Sequence, residues 1–398
     1  MNRDLFFRHV AQTSPYTMAL EIDRAEGIYL YGPDGKRWID FVSGVCVSNV
    51  GHNAPEVVAA IQEQAGKYLH TMVYGETVMS PQVQYARRLA EVLGEGLDHV
   101  YFGNSGAEAN EGALKVAKRF TGRSKLIGFE NSYHGSTHGV LSVSGSQKLK
   151  PGYGPFLPDT QQLPYNDFEA LSAIDTDTAA VIIEAIQGAG GAVVPDPGYL
   201  QAVRQRCDEV GALMILDEIQ TGFGRTGHLF AHQGLGFQPD MLTLAKALGG
   251  GLPLGAFITR GEIMEVIQSN PSLGHINTYG GGPVSCAAGL ALLNKILDEN
   301  LLDQVPAKEA ILCHELRHPA IKLVRGKGLM MAVLFEDADT TNRILDTCIQ
   351  HGLMTIGFIN IANGLRVSPP LTITEDELRE SCRLFVRCVE EVASGRSS

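Results

Sequence analysis

Between residues 100 and 300, short apolar runs alternate with longer amphipathic stretches, and this alternation constrains the fold more than any other feature of the sequence. Continuous apolar runs are typical of strands buried on both faces, and helices between such strands allow them to run parallel. The predicted strands are Val100–Phe102, Lys125–Glu130, Ala179–Ile186, Leu213–Glu218, Met241–Ala245 and Ala256–Arg260, and the predicted helices are Gly106–Phe120, Tyr199–Val210 and Val284–Glu299. We therefore expect an α/β fold whose mainly parallel sheet is flanked by helices and binds ligands beyond the carboxyl ends of its strands.

The two ends of the chain carry other patterns. The first 50 residues contain hairpin-like signals around a Pro33-Asp34-Gly35 turn. The C-terminal elements predicted are strands at Gly328–Phe335 and Leu365–Val367 and helices at Thr341–His351 and Thr374–Val392, the last opened by a capping box. We expect an N-terminal segment (1–50) that packs with the small domain, a large domain (51–300) and a smaller C-terminal α+β domain (301–398).

Composition excludes several classes of function. The 398 residues carry a net charge of −12, so no basic surface is offered to nucleic acid or to anionic membranes. No apolar stretch reaches the roughly 18 residues that a membrane span requires. The charged N-terminal sequence and seven scattered cysteines, none in a CxxC pair, are typical of a reduced cytoplasmic protein. We expect a soluble cytoplasmic enzyme that acts on small molecules.

One short motif is typical of zinc peptidases. His314, Glu315 and His318 form an HExxH pattern, in which two histidines on one helical face hold zinc and the glutamate acts as base. Pro319 follows at once and would end the helix at the second histidine. A third ligand would have to come from Glu336, outside any helix, so a solvated helix end is the preferred interpretation.

A second motif, Gly222–Gly227, has the GxGxxG spacing of dinucleotide-binding loops and follows a predicted strand. That fingerprint also requires its glycines to open a helix. The residues that follow do not form a convincing helical pattern, so we expect a flexible loop there.

Three other features together match the needs of one cofactor. The segment Asn104–Glu111 lies between a strand and a helix, where free backbone N–H groups suit a phosphate, although a plain N-cap is an equal alternative. Asp217 ends an apolar strand, where it either meets a cation or forms a structural ion pair. Lys246 lies in an apolar setting that would lower its pKa, unless it simply extends to solvent. Pyridoxal phosphate needs three contacts of this kind: donors for its phosphate, an acid for its ring nitrogen and an amine for its aldehyde.

With these motifs in place, the sequence resembles the class III aminotransferases, a family of the pyridoxal-phosphate-dependent fold type I that includes the ornithine, acetylornithine and 4-aminobutyrate enzymes. The resemblance extends from Gly27–Leu30 to Leu365–Pro370. Its most specific motifs are Leu216–Gly227, Lys246–Gly255 and Thr278–Pro283.

The resemblance implies a role for each matching residue. Lys246 would form the internal aldimine and carry a proton between substrate and cofactor, while Asp217 would pair with the protonated pyridine nitrogen. The other implied cofactor contacts are Ser105, Gly106 and Ala107 on the phosphate, Thr278 on the phosphate of a neighbouring subunit, Tyr133 and Ile219 on the two ring faces, and Gln220 near the phenolic oxygen. Arg366 would bind a substrate carboxylate. Glu184 would pair with that arginine when no α-carboxylate is present.

The implied reaction is a ping-pong transfer from an ω-amino donor, of the acetylornithine, ornithine or 4-aminobutyrate type, to a 2-oxo acid such as 2-oxoglutarate. The enzyme would be at least a homodimer. An aminomutase, a racemase and a decarboxylating aminotransferase of the same fold remain open, but decarboxylating relatives carry a glutamine where Ser43-Gly44-Val45 offers only an apolar side chain.

Three positions depart from the family pattern. Ala185 replaces a frequent proline, and Gly282 replaces a frequent asparagine near the expected subunit boundary. Ser136 stands where the acetylornithine and 4-aminobutyrate enzymes usually carry arginine, which removes a carboxylate anchor.

Overall fold

The computed structural model describes residues 2–73 and 75–395. The strands are β1 (Arg24–Glu26), β2 (Tyr29–Tyr31), β3 (Arg37–Asp40), β4 (His99–Gly103), β5 (Lys125–Phe129), β6 (Thr160–Leu163), β7 (Thr178–Glu184), β8 (Leu213–Asp217), β9 (Met241–Leu244), β10 (Gly255–Thr259), β11 (Leu323–Lys327), β12 (Met330–Leu334), β13 (Leu353–Met354) and β14 (Gly364–Val367). The helices are α1 (Asn2–His9), α2 (Ser43–Cys46), α3 (Pro55–Lys67), α4 (Ser80–Leu93), α5 (Gly106–Thr121), α6 (His138–Val143), α7 (Tyr199–Val210), α8 (Gly261–Met264), α9 (Pro283–Asp298), α10 (Leu301–Glu315), α11 (Ala338–Gln350) and α12 (Glu375–Ala393).

Seven strands of the described chain form one sheet in the order β4-β10-β9-β8-β7-β5-β6. Strands β9, β8, β7, β5 and β6 are parallel to their neighbours, whereas β10 is antiparallel to both β4 and β9. Strand β4 therefore runs in the same direction as β9. The carboxyl ends of β4, β5, β7, β8 and β9 consequently meet at one edge of the sheet, and the expected α/β fold with a mainly parallel sheet is confirmed.

Helices cover both faces of this sheet and bury its apolar side chains. Every residue of β7 and β8 is buried, as continuous apolar strands require. Helix α5 packs against β9 and β10 on one face, and its Gly112 lies so close to Phe257 that a Cβ atom would overlap the ring. Tyr199, Leu200 and other residues of α7 join the core on the opposite face.

The two ends of the chain share a small sheet. Strands β1, β2 and β3 form an antiparallel ribbon, and β13 from the C-terminal part pairs in parallel with β3. A separate antiparallel sheet of β11, β12 and β14 lies in the C-terminal part. Helices α9 and α10 are separated at Asn300, which has φ 50°. The domain limits at residues 50 and 300 remain predictions.

The predicted elements between residues 100 and 300 are present, with ends that differ by about two residues or less. The capping box of α12 is also confirmed, because Thr374 Oγ1 accepts from Glu377 N at 3.2 Å and Glu377 Oε2 accepts from Thr374 N at 2.9 Å. The pattern does not predict β6, whose Thr-Gln-Gln sequence is polar because the strand lies at the edge of the sheet.

The two misleading motifs take ordinary conformations. Helix α10 ends at Glu315, so His314 and His318 do not share a helical face. The third expected ligand, Glu336, is paired with Lys322. Residues 222–227 form successive turns without opening a helix, as predicted, but the segment is buried, contrary to the expectation of a flexible loop. In the described parts of the chain, no helix has the length and apolar character needed to cross a membrane.

Candidate active site

A cavity of about 720 Å³ lies at the sheet edge where the strand ends meet. Its lining contains every site residue predicted from the sequence except Thr278: Ser105, Gly106, Ala107, Tyr133, Glu184, Asp217, Ile219, Gln220, Lys246 and Arg366. Thr278 is exposed and lies outside this cavity. The fold therefore brings together residues that are up to about 260 positions apart in the sequence.

The N-terminus of α5 forms one wall of the cavity. The extended Ser105 caps the helix, and its Oγ accepts from Glu108 N at 3.2 Å. The first N–H groups of a helix have no partner inside it, so those of Gly106 and Ala107 are available at the wall. Because a hydroxyl can accept one hydrogen bond and donate another, Ser105 can serve both as cap and as anion ligand. This wall has the donors and the positive helix end that a phosphate requires.

Asp217, the last residue of β8, is held rigidly in the floor of the cavity. One carboxylate oxygen lies 2.7 Å from His134 Nδ1 and accepts from Asn110 Nδ2 at 2.9 Å, and the other accepts from Ile219 N at 3.0 Å. Burial alone would lower the pKa of His134, but the hydrogen bond and charge of Asp217 raise it above the ordinary value. A buried carboxylate with fixed partners is suited to holding a cationic ring nitrogen in one position.

Lys246 follows β9 and opens a short 3-10 helix, Lys246–Gly249. Its backbone has φ 51°, a left-handed conformation that is uncommon for a residue with a side chain. Burial lowers the pKa of its amine, although Cys46 and Asp217 act in the opposite direction. The sequence-based prediction of a depressed lysine pKa is thus confirmed, and a larger neutral fraction makes the amine a better nucleophile.

The other residues expected to contact the cofactor line the same cavity as the N-terminus of α5, Asp217 and Lys246. Ile219 contacts Gly106 so closely that a Cβ atom at this glycine would lie 2.7 Å from Ile219 Cδ1. Tyr133 is half-buried, and its hydroxyl lies 3.1 Å from Ser136 Oγ. Gln220 donates to Cys46 Sγ at 3.7 Å.

Arg366 and Glu184 form the other polar part of the cavity. Arg366 lies in β14, is 5% exposed and stacks on Phe358 with Cζ 4.5 Å from the ring centroid. Glu184 ends β7, and its Oε1 accepts from Gly188 N at 3.3 Å. Among the described residues, Glu184 Oε2 and Arg366 Nε have no hydrogen-bond partner. The ion pair expected between these two residues is not formed here, and both are open to a ligand.

A strained turn borders the same cavity. Ser43, Gly44, Val45 and Cys46 all have positive φ, between 48° and 65°, so α2 is a left-handed turn. Such a backbone costs about 1–2 kcal/mol for each residue that is not glycine. The side chain of Val45, in the middle of this turn, lines the cavity.

Buried polar residues hold this turn in place. Asp40 Oδ1 accepts from the backbone N–H groups of Val42 and Ser43 at 2.9 and 2.7 Å. The fully buried Arg225 donates to Ser43 Oγ at 3.2 Å, to Leu329 O at 3.1 Å and to Pro369 O. Arg225 therefore connects the turn to the loop after β8 and to the chain that follows Arg366.

Sequence reasoning missed several of these supporting residues. Asn110 carried a weak signal, since it is a polar residue on the otherwise small and apolar buried face of α5. His134 was part of a quoted motif without an assigned contact. Arg225 was likewise part of a quoted motif without an assigned contact, since Leu329, one of its partners, lies 104 positions away. Phe358 gave no signal, because it lies on a loop of irregular pattern.

Comparison with known proteins gives consistent results. The model of the family "Aminotransferase class-III" matches residues 10–389. The acetylornithine aminotransferase of Caldanaerobacter subterraneus is 38% identical over 383 residues, covering 93% of this chain and 94% of the relative, and that of Streptomyces coelicolor is 45% identical over 90% of this chain and 88% of the relative. A crystal structure of the Toxoplasma gondii ornithine aminotransferase, with partial occupancy of pyridoxal phosphate at its active site, has a TM-score of 0.91 and 31% identity over 99% of this chain and 95% of that chain.

Proposed function

The chain belongs to the class III aminotransferases and is a pyridoxal-phosphate-dependent transferase; from this membership we propose that it moves an amino group from an ω-amino donor to a 2-oxo acid. The observation that carries the proposal is the presence of Lys246, Asp217 and Arg366 in one cavity. The acetylornithine relatives support a donor that reacts through a terminal amine, with 2-oxoglutarate as the acceptor implied by family resemblance.

The overall reaction is balanced between two carbons. The donor carbon loses its amino nitrogen and two electrons and becomes a carbonyl, while the acceptor C2 gains the nitrogen, a hydrogen and the two electrons. The carbonyl oxygen lost by the acceptor returns, through water, to the donor carbon. No external oxidant is required.

Each site residue has a defined task in this proposal. Lys246 Nζ would bind the cofactor aldehyde and later move the proton taken from the substrate carbon. The Asp217 carboxylate, fixed by His134 and Asn110, would hold a proton on the ring nitrogen. Pyridoxal phosphate, when bound, supplies the electron sink that makes the substrate C–H acidic. Arg366 would orient the α-carboxylate of the 2-oxo acid.

We propose that the functional unit is a homodimer. Exposed apolar side chains occur in the segment between α3 and α4, on the first turn of α4 and in the loop that carries Thr278: Leu69, Met72, Val78, Val83, Ile276 and Tyr279. The ring of Tyr279 also lies 5.2 Å from that of His70, so the two exposed segments are in contact. Large exposed apolar patches are typical of association surfaces. Sedimentation analysis should give a dimer for the wild type and a smaller species for Val78→Asp.

Two measurements test the proposed chemistry. Borohydride reduction of the cofactor-loaded enzyme followed by peptide mass spectrometry should place the cofactor on Lys246. Terminal amines should then bleach the visible cofactor band, and a 2-oxo acid should restore it with formation of an amino acid. A racemase or aminomutase would give neither a new carbonyl product nor a new amino acid from the acceptor, and a protein that binds zinc without a cofactor band would contradict the proposal.

A further inference from the structure

We propose that Arg225 is a positioning residue that holds Arg366 at the distance from the cofactor at which it can bind the α-carboxylate of a substrate. The inference rests on the role of Arg366 in the proposed function. It goes beyond that function because it assigns carboxylate recognition to a second arginine, whose side chain lies outside the cavity lining.

Arg225 is fully buried and donates to acceptors on three separate segments. These acceptors are Ser43 Oγ, Asn49 Oδ1, Leu329 O and Pro369 O. All four are neutral groups, so burying this cation is a weak way to gain stability. A planar guanidinium is, however, well suited to hold several acceptors in fixed directions. Because none of the side chain is exposed, a second copy of the chain has no access to it.

Two of the four acceptors flank the strands that place Arg366. Leu329 O accepts from Arg225 at 3.1 Å, and Leu329 N donates to Arg225 O at 2.9 Å, directly before β12 begins. Pro369 O lies two residues beyond β14, the strand that contains Arg366. Strands β12 and β14 are paired, with Ala332 opposite Arg366. Arg225 therefore holds both strands at the end nearest to Arg366.

The backbone of Arg225 belongs to the loop that follows the carboxylate expected to hold the cofactor ring. It lies eight positions after Asp217 and five after Gln220, both of which line the cavity. Asn49 strengthens the connection, because its Oδ1 accepts from Arg225 and its Nδ2 donates to Phe223 O at 2.9 Å. Arg225 thus bridges the cofactor end of the cavity and the strand that carries its carboxylate-binding end.

Close packing leaves this bridge little room to shift. A Cβ atom on Gly328, between β11 and β12, would lie 2.4 Å from Arg225 O. Ser43 Oγ donates to Ser368 O at 2.6 Å, and Ser368 Oγ donates to Val42 O at 3.1 Å, with both serines fully buried. Since dense interiors transmit strain, a change at Arg225 should displace β14 and not be absorbed by solvent.

The two half-reactions depend differently on the position of Arg366. The α-carboxylate of a 2-oxo acid is bonded to the reacting carbon, so it cannot follow a guanidinium that has moved. In the donor half-reaction the expected partner of Arg366 is Glu184, whose Oε2 has no hydrogen-bond partner among the described residues and can follow such a movement. Loss of the Arg225 contacts should therefore impair the acceptor half-reaction selectively.

The test uses Arg225→Lys, which keeps the charge but replaces the planar fork by a single ammonium group. The acceptor is whichever of 2-oxoglutarate and pyruvate the wild type uses better, and the donor is the best of acetylornithine, ornithine and 4-aminobutyrate. In single turnovers, kcat/KM for the acceptor should fall at least ~10-fold, mainly through a higher KM, while the donor value stays within ~3-fold and the visible cofactor band is retained. Equal losses in both half-reactions, or no loss in either, would overturn the inference.

A matched control and a milder variant complete the design. Arg204→Lys changes another buried arginine, which pairs with Asp240 and Asp208 outside the cavity lining, and should lower the Tm without separating the two half-reactions. If Arg225→Lys does not fold, Ser368→Ala removes one hydroxyl contact of the same bridge and should give a selective acceptor loss of about 3-fold. A Ser368→Ala protein that loses both half-reactions equally, or neither, would also contradict the positioning role.

Failure of the inference is distinguishable from failure of the proposed function. If terminal amines do not bleach the cofactor band, or if Arg366→Lys leaves the acceptor half-reaction unchanged, the proposed function or its assignment of Arg366 is wrong, whatever Arg225 does. If Arg366→Lys impairs the acceptor half-reaction and Arg225→Lys does not, the function stands and the positioning role of Arg225 is wrong.

Discussion

Two buried carboxylates, Glu184 and Asp217, end adjacent parallel strands and lie directly opposite each other in register. Asp217 accepts from His134, Asn110 and the backbone N–H of Ile219 at 2.7–3.0 Å, so both of its oxygens are occupied. Glu184 has a single contact of 3.3 Å to Gly188 N and one unpaired oxygen. The same position in neighbouring strands therefore produces one fixed and one free carboxylate.

The difference follows from what packs beyond each strand end. Helix α5 and the loop after β5 bring Asn110 and His134 onto Asp217, whereas Glu184 faces the cavity near Arg366. A fixed charge suits a cofactor that stays in place through both half-reactions. A free charge suits a site that must accept substrates with and without a carboxylate beside the reacting carbon.

The largest effect is expected for Lys246→Ala, because this amine lies in the electrostatic field of both carboxylates and is the group that would carry the proton. Amino transfer should fall by at least ~10⁴-fold while circular dichroism shows a folded protein. The measurement is single-turnover conversion of a terminal amine. Turnover within tenfold of the wild type would exclude Lys246 from the chemistry.

The fixed carboxylate is tested by Asp217→Asn. An amide keeps the size of the side chain but cannot hold a proton on the ring nitrogen by charge, so proton abstraction should slow by about 10²–10³-fold with the cofactor still bound. Stopped-flow absorbance of the donor half-reaction gives the rate, and the retained visible band is the control for binding. An unchanged rate would make Asp217 a purely structural residue.

This contrast also shows what the sequence could provide. The apolar run that ends at Asp217 predicted a strand-end carboxylate, and the parallel arrangement predicted that ligands bind at that edge. Glu184 lay inside the predicted strand Ala179–Ile186, and its role came only from the family resemblance. The sequence did not distinguish their mobility, since His134 and Asn110 reach Asp217 from segments 83 and 107 positions away. Partners at such separations leave no local pattern.

The strained turn was unpredictable for a related reason. Val45 is β-branched and Cys46 also carries a side chain, and a left-handed backbone is unfavourable for both, so local propensity argues against the observed conformation. The turn is held by Asp40 and Arg225 through contacts that propensity does not include. For the glycine-rich Gly222–Gly227 segment, by contrast, composition was enough to predict a loop that does not open a helix, although it did not predict that this loop is buried.

The free carboxylate should produce a measurable pH dependence of stability. Burial raises the pKa of Glu184 from 4.5 to about 7, so the folded protein binds this proton more tightly than the unfolded chain. The stabilisation that comes from this tighter proton binding is fully present below pH 4.5. It is lost as the pH rises towards and through 7, which lowers the free energy of unfolding by up to about 3 kcal/mol. Glu184→Gln should lack this loss. Urea unfolding of both proteins at pH 5 and pH 8 measures the difference, and parallel pH profiles would contradict it.

The smallest and most specific effect is expected from Glu184→Ala, measured separately in the two half-reactions. A terminal amine brings no carboxylate to its reacting carbon, so Arg366 would remain an unpaired buried cation unless Glu184 moves to pair with it. Removing Glu184 should therefore slow the donor half-reaction by about 10-fold. The acceptor half-reaction should stay equal or become faster, because the arginine is then always available to the α-carboxylate of the 2-oxo acid. Asp217→Asn provides the control, since a change at the fixed carboxylate should slow both half-reactions alike. If Glu184→Ala also slowed both to the same extent, Glu184 would act as a brace for the site, and the distinction between a fixed and a free carboxylate would have no role in catalysis.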